Sequence, residues 1–221
     1  MAPLTPYVSG YAPRGAGERG SVSTLQASDD PGDFRDGMPF LGSRLWIDFV
    51  NSDSAALGDL IATDAGWARW LEAAGLPAPT GVEAARAAVR AEAAALRDGL
   101  RALFEAMRTG TAPDARDINR LNAYLARAAA HPRLRVDAGG ALAVETAPLR
   151  APDPLVAIAA DFAAFAEHYE PARLRHCDNP ACSLVFYDTA RNGTRRWCSM
   201  AACGNRHKVR SHRQRAALKC T

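Results

Sequence analysis

Cys177-Asp178-Asn179-Pro180-Ala181-Cys182 and, 15 residues later, Cys198-Ser199-Met200-Ala201-Ala202-Cys203 decide how the C-terminal part of this 221-residue chain folds. Each pair encloses four residues, a loop length that lets two thiolates reach one ion from a tight turn. A small residue, Ser183 or Gly204, follows the second cysteine of each pair. Soft thiolates suit Zn2+ or an iron–sulfur cluster better than oxygen-seeking cations, and two disulfides are the remaining use of four cysteines. The repeated spacing favours one Zn2+ held by Cys177, Cys182, Cys198 and Cys203. Four cysteine ligands leave no position for water or substrate, so the ion is expected to be structural. His176 and His207 flank the set and are expected outside it, and Cys220 reads as a free surface thiol. Around the cysteines only Leu184, Val185, Phe186, Tyr187 and Trp197 are large and apolar, so the metal is expected to supply much of the folding energy.

Working outward, the charge changes sign. Residues 171–221 carry 11 Lys+Arg against Asp178 and Asp188, a balance of +9, whereas residues 1–170 carry 16 against 22, a balance of −6. The composition break marks a separate unit. No proline interrupts residues 204–217, so a helix leaves the second cysteine turn, with Arg206, Arg210 and Arg213 on one stripe and Lys208, His212 and Arg215 roughly opposite. Arg191, Arg195 and Arg196 add to the same field from the preceding loop. Guanidinium groups at this density match phosphate oxygens, which points to nucleic acid as partner. A protein-interaction module docking an acidic partner is the alternative reading of the same residues.

Upstream, 48% of the chain is hydrophobic but 47 residues are alanine, a supply that suits close helix packing. Residues 1–38, rich in Gly, Pro, Ser and charge, are expected to be disordered. The run Leu45–Asn51 is too short to separate a buried helix from a buried strand by period. Thr63 or Asp64 caps a helix carrying Trp67, Trp70 and Leu71, closed at Gly75. Thr80-Gly81-Val82-Glu83 reads as a capping box opening the longest helix, to about Thr109. Val82, Val89, Leu96, Leu100, Leu103, Phe104 and Met107 form its buried face, and Arg86, Arg90, Arg97 and Arg101 are expected to solvate the other. A helix from Asp114 to about Ala130, stopped by Pro132, carries Ile118, Leu121 and Leu125. Leu134/Val136 and Leu142/Val144 then alternate around Asp137-Ala138-Gly139-Gly140, a β-hairpin. Asp153-Pro154 opens the last helix, with Leu155, Ile158, Phe162, Phe165 and Tyr169.

No stretch approaches the ~18–20 apolar residues of a membrane span, and the N-terminus lacks the order of a secretory signal, so a cytoplasmic protein without membrane contact is expected. Residues 39–170 hold no cysteine, no Gly-rich phosphate loop and no nucleophile elbow, so no enzyme is expected. Asp48 and Asn51, polar inside Trp46-Ile47-Phe49-Val50, must be hydrogen-bonded if buried. Their plain reading is a network pinning this segment, and the sharper one is the polar end of a ligand pocket in a sensing domain.

Arg173-Leu174-Arg175-His176-Cys177, Leu184-Val185-Phe186-Tyr187-Asp188, Arg191-Asn192, Arg195-Arg196-Trp197-Cys198-Ser199-Met200 and Cys203-Gly204-Asn205-Arg206 resemble the CGNR zinc finger over about residues 172–216. Leu45–Ser52 with Trp67, Trp70-Leu71 and Gly75-Leu76 resembles the opening of the ABATE domain, with Trp46 and Tyr187 as departures from the usual pattern. The resemblance implies a bacterial, stress-induced transcription regulator whose zinc-ribbon-like finger binds nucleic acid, DNA favoured and RNA possible. The expected architecture is therefore mainly α. A disordered segment (1–38) precedes an ABATE-like helical domain with a small hairpin (39–170), and a CGNR-type finger with a terminal helix follows (171–221). The helical domain would sense an unidentified signal or mediate assembly. A homo-oligomer is possible, but no heptad seam specifies one.

Overall fold

The computed structural model describes residues 33–78, 83–128, 130–148 and 153–210. Residues 33–38, expected within the disordered segment, are ordered. Strands β1 (Phe34–Arg35) and β2 (Met38–Pro39) pair around Asp36-Gly37, both at positive φ, and bury Met38. Residues 1–32 lie outside the described part.

The ambiguous apolar run is a helix, α1 (Leu45–Val50), with all six side chains buried. A buried helix start needs acceptors for its orphan N–H groups, and Arg44 at the cap position supplies none. Asp161, distant in sequence, does so, accepting the Trp46 N–H at 3.0 Å. Burial pushes the Asp161 carboxyl above its ordinary range, against the opposing effect of that bond. Just before α1 the chain passes so close that a Cβ on Gly42 would lie 2.5 Å from Ile47 Cγ2.

A two-stranded ribbon, β3 (Asp53–Ser54) with β4 (Gly58–Asp59), leads to α2 (Asp64–Ala74). Thr63 caps α2 by accepting the Gly66 N–H at 3.0 Å, and Gly75 closes it at φ 71°. The long helix α3 (Glu83–Thr109) follows, while Thr80, Gly81 and Val82 of the expected capping box lie outside the described residues. Leu96, Leu100, Leu103, Phe104 and Met107 of α3 are buried. Helix α4 (Ala115–Leu125), capped by Asp114, ends about five residues earlier than expected. Pro132 lies inside the next strand instead of stopping a helix, a position open to proline because each strand of a ribbon is an edge.

Strands β5 (Ala130–Val136) and β6 (Leu142–Pro148) form the expected hairpin, pairing Leu134 with Val144 and Val136 with Leu142. Helix α5 (Pro154–Ala166), capped by Asp153, packs on α1 and α4. Tyr169 follows its end and stacks on Phe165 at 5.8 Å. Trp46 sits at the centre of the core, 5.1 Å from the Phe162 ring and 5.2 Å from that of Phe165. The fold is mainly helical with small antiparallel ribbons.

The arginine stripe of α3 is not a solvated face. Arg97 is buried, forks onto both carboxylate oxygens of Asp59 at 2.7 and 2.8 Å, and reaches Ser52 Oγ at 3.2 Å. Arg101 donates to the carbonyls of Val50 and Asp53, and Arg90 pairs with Asp64. Four- and seven-residue steps place these side chains on one side of the helix, and that side meets carbonyls and carboxylates of the 50–64 segment. Arg86, at the far end, is exposed but still approaches Asp64 Oδ2 at 3.7 Å.

Candidate metal centre and nucleic-acid interface

The cysteine unit begins with β7 (Leu174–His176) and β8 (Val185–Tyr187), which pair antiparallel and carry the first cysteine turn between them. The Cys177 N–H donates to Leu184 O at 3.0 Å and the Cys182 N–H to Asn179 O at 2.8 Å, folding that turn. The second turn is the wide helical turn Met200–Gly204, in which the N–H groups of Cys203 and Gly204 both donate to Ser199 O. Residues 205–210 continue as helix, as the unbroken sequence predicts. The Asp178 N–H donates to Arg196 O at 2.9 Å, joining the two halves.

The sulfurs of Cys177, Cys182, Cys198 and Cys203 all lie within 4.8 Å of one another. Cys182 Sγ is 3.8 Å and Cys203 Sγ 3.6 Å from Cys198 Sγ. Zn–S bonds of about 2.3 Å at tetrahedral angles separate sulfurs by about 3.8 Å, so the cluster fits that ion. The separations are also far too long for disulfides. Left to themselves, the thiols drive each other's titration apart. Contact with Cys182 and Cys198 draws the Cys177 thiol below its ordinary value, and the same contact with Cys177 pushes Cys182 above it. A divalent cation resolves that conflict by taking all four as thiolates. The Asn179 amide donates to Cys203 Sγ at 3.3 Å, and the Cys198 N–H approaches Cys177 Sγ at 3.5 Å, both tempering the negative charge. Cys177, Cys182, Cys198 and Cys203 therefore hold one structural Zn2+.

The composition break does not coincide with a gap in packing. Leu174 and Val185 belong to the main core, whereas Leu41, from the segment before α1, packs with Phe186 and the cysteines. Asn51 carries the tie: its amide donates to Val185 O at 2.8 Å and its oxygen accepts the Val185 N–H at 2.9 Å. Asp48 accepts the Gly42 N–H at 2.7 Å. Both side chains are buried and bonded to main chain, as in the plain reading of the pair. Tyr187 sets its ring edge-on to Phe165 at 4.9 Å, and its hydroxyl accepts the Glu170 N–H. His176, outside the metal set, places Nε2 2.6 Å from Glu105 Oε1 on α3.

The basic residues divide into struts and free surface. Arg195, expected to meet phosphate, lies over the Phe186 ring at 4.3 Å and donates to the carbonyls of Trp197, Leu41 and Cys198. Arg173 holds the carbonyls of Asp188 and Ala190, and Arg175 that of Gly193. Asp188, fully buried, accepts the N–H groups of Ala190 and Arg195 and shapes the loop. The sequence signal for it was its rarity, one of two acids among 11 bases. Arg191, Arg196, Arg206, Lys208 and Arg210 are exposed, with Arg196 pairing to Asp178 at 2.7 Å. Arg213 and Arg215 lie outside the described residues. A cleft of about 360 Å³ opens beside this surface, lined by Asn192, Thr194, Arg195, Arg196, Trp197 and Met200.

Two family models account for most of the chain. Residues 173–216 match the CGNR zinc finger. Residues 43–168 match the ABATE domain, described as a putative stress-induced transcription regulator. No curated protein matches. More than half of the chain lies in the second match, and the first spans all four clustered cysteines: the protein belongs to the ABATE family and carries a C-terminal CGNR zinc finger.

Proposed function

We propose that this regulatory zinc-finger protein acts by binding nucleic acid through the finger, with DNA as the favoured polyanion and RNA as the alternative. The carrying observation is the separation of its arginines. Arg173, Arg175 and Arg195 are tied to carbonyls, while Arg191, Arg206, Lys208 and Arg210 stand exposed on the loop and helix beside the zinc site. Zinc fixes the backbone from which these groups project, and the acidic helical domain directs a polyanion toward the finger and away from itself. A cytoplasmic protein with its signal and its target in one compartment suits this reading, and no helix among the described residues is long and apolar enough to cross a membrane.

The helical domain would then sense a signal or mediate assembly. The β5–β6 ribbon favours assembly, because its apolar face is exposed and carries no charge. The test is binding of the zinc-loaded full chain to labelled DNA and RNA across a salt series, beside an Arg206→Ala/Lys208→Ala/Arg210→Ala variant. Log affinity should fall linearly with log salt, and the variant's slope should be shallower by about two to three. Binding indifferent to salt and to these substitutions would sink the reading. Retention of an acidic protein through nuclease treatment would move the basic surface to a protein partner.

A further inference from the structure

We infer that the cleft between the 190–197 loop and Met200 receives one unpaired nucleobase, so that the finger grips single-stranded nucleic acid by a base as well as by phosphates. This rests on the nucleic-acid reading above and names the form of the ligand. The cleft's volume, about 360 Å³, is at the lower end of the range for small-molecule sites, about 300–1,000 Å³, which suits one planar group.

Its walls have the chemistry of a base site. Trp197, already packed against the His207 ring at 4.7 Å, lines the cleft with Met200 as apolar, polarizable surface, and the exposed Arg196 guanidinium lies 5.1 Å from the centroid of the Trp197 ring. Bases stack on such aromatic and guanidinium planes. Asn192 and Thr194 are exposed at the mouth and make no hydrogen bond to any described residue, leaving an amide and a hydroxyl for a base edge. The thioether and the indole are held in place from below. A Cβ on Gly204 would meet Met200 Sδ at 2.6 Å and Trp197 Cδ1 at 3.2 Å, so glycine is what lets both lie over the second cysteine turn. Arg191 and Arg206 flank the cleft in sequence and are exposed to meet the backbone of the same strand. A duplex hides its base faces within the stack, and only an unpaired base can present one to this wall.

The test uses the zinc-loaded full chain with three probes of equal length: a mixed-sequence single strand, its abasic counterpart and the corresponding duplex. The base-bearing strand should bind about tenfold tighter than the abasic strand, within the range seen for stacking platforms. It should also quench tryptophan fluorescence. Trp46, Trp67 and Trp70 are buried in the helical core, so quenching reports Trp197. An Asn192→Ala/Met200→Ala variant should lose the preference for bases while binding the abasic strand as well as the parent does. Equal, salt-dependent binding of the base-bearing and abasic strands would overturn the cleft and leave phosphate binding standing, as would preference for the duplex. No binding of any probe at low salt would overturn the nucleic-acid reading and this inference with it.

Discussion

The β5–β6 and β7–β8 ribbons are both two-stranded, antiparallel and built from apolar residues flanked by arginine, yet their surroundings are opposite. On β5–β6, Leu134, Val136, Leu142 and Val144 stand 64–77% exposed. On β7–β8, Leu174, Val185 and Phe186 are at most 3% exposed. A ribbon of two strands is marginal in water by itself, and needs a third element against its apolar face. For β7–β8 that need is met on both sides, by α1 and Phe165 on one and by Leu41 and the zinc-bound turns on the other. For β5–β6, cross-strand pairing and the charged side, where Glu145 bonds Arg133 and Arg135, do the holding. The small β3–β4 ribbon shows a third solution, in which the buried Arg97 clamps Asp59.

The largest effect should come from the metal. Cys198→Ser, or chelation, should remove zinc from the protein and release the β7–β8 amides to fast hydrogen exchange, while β5–β6 exchange stays unchanged. Structural zinc in finger peptides contributes about 10–16 kcal/mol, as large as a domain's whole margin of about 5–15 kcal/mol. Retained protection at Val185–Tyr187 in the metal-free chain would show that α1 alone holds the ribbon.

Next is the polar tie. Asn51→Ala leaves the N–H and C=O of Val185 buried without their partner, at about 1–3 kcal/mol for each group. Urea unfolding of the zinc-loaded protein should show a loss of roughly 2–4 kcal/mol. A change below ~0.5 kcal/mol would mean that water replaces the amide there.

The β3–β4 clamp should appear in acid. The Arg97 fork lowers the Asp59 carboxyl below its ordinary value, the bond from Ile61 helping and burial opposing. A lowered folded pKa contributes stability that is present above the unfolded value of 3.8 and is lost as pH falls through the lower folded value. The stability difference between the parent and Asp59→Asn should therefore shrink as pH falls below about 4. Taking the difference cancels the acid release of zinc common to both. A difference independent of pH would exclude the ion pair as the clamp.

The smallest effect belongs to the exposed ribbon. Leu134→Thr with Val144→Thr should alter the stability of the monomer by no more than about 0.5 kcal/mol, as for ordinary surface positions. Sedimentation across a concentration series supplies the complement. A dimer lost on this substitution would place a second copy on the face, whereas a monomeric parent would leave the face to solvent.

Much was legible without coordinates. Thr63, Asp114 and Asp153 cap where their residue types and positions predict, because a cap acts over three residues. The four cysteines were legible for the same reason, two tight turns of fixed length. Spacing predicts a solvated Arg86–Arg101 stripe because it reports that residues share a face and is silent about what that face meets. Charge alone predicts Arg195 as a phosphate contact, whereas its reach to three carbonyls depends on where Leu41 and Cys198 lie in space.

By itself, the sequence determined the helical character of residues 39–170, the alternating hairpin around Asp137, the zinc ligands and the family. The elements and the ligands rest on short periods, turn chemistry or spacing along the chain, and the family on the resemblance of the residues around the cysteines and in Leu45–Ser52. Tertiary structure alone decided that Leu45–Val50 is a helix capped by Asp161, that Asn51 joins the helical domain to β8, and which arginines remain free. The Asp161 cap and the Asn51 tie join groups more than 100 residues apart, Asn51 and Val185 at a separation of 134, and the arginines are tied to carbonyls and carboxylates that no helical or strand period points to. Burial leaves such groups no partner but each other, and no local pattern encodes that meeting.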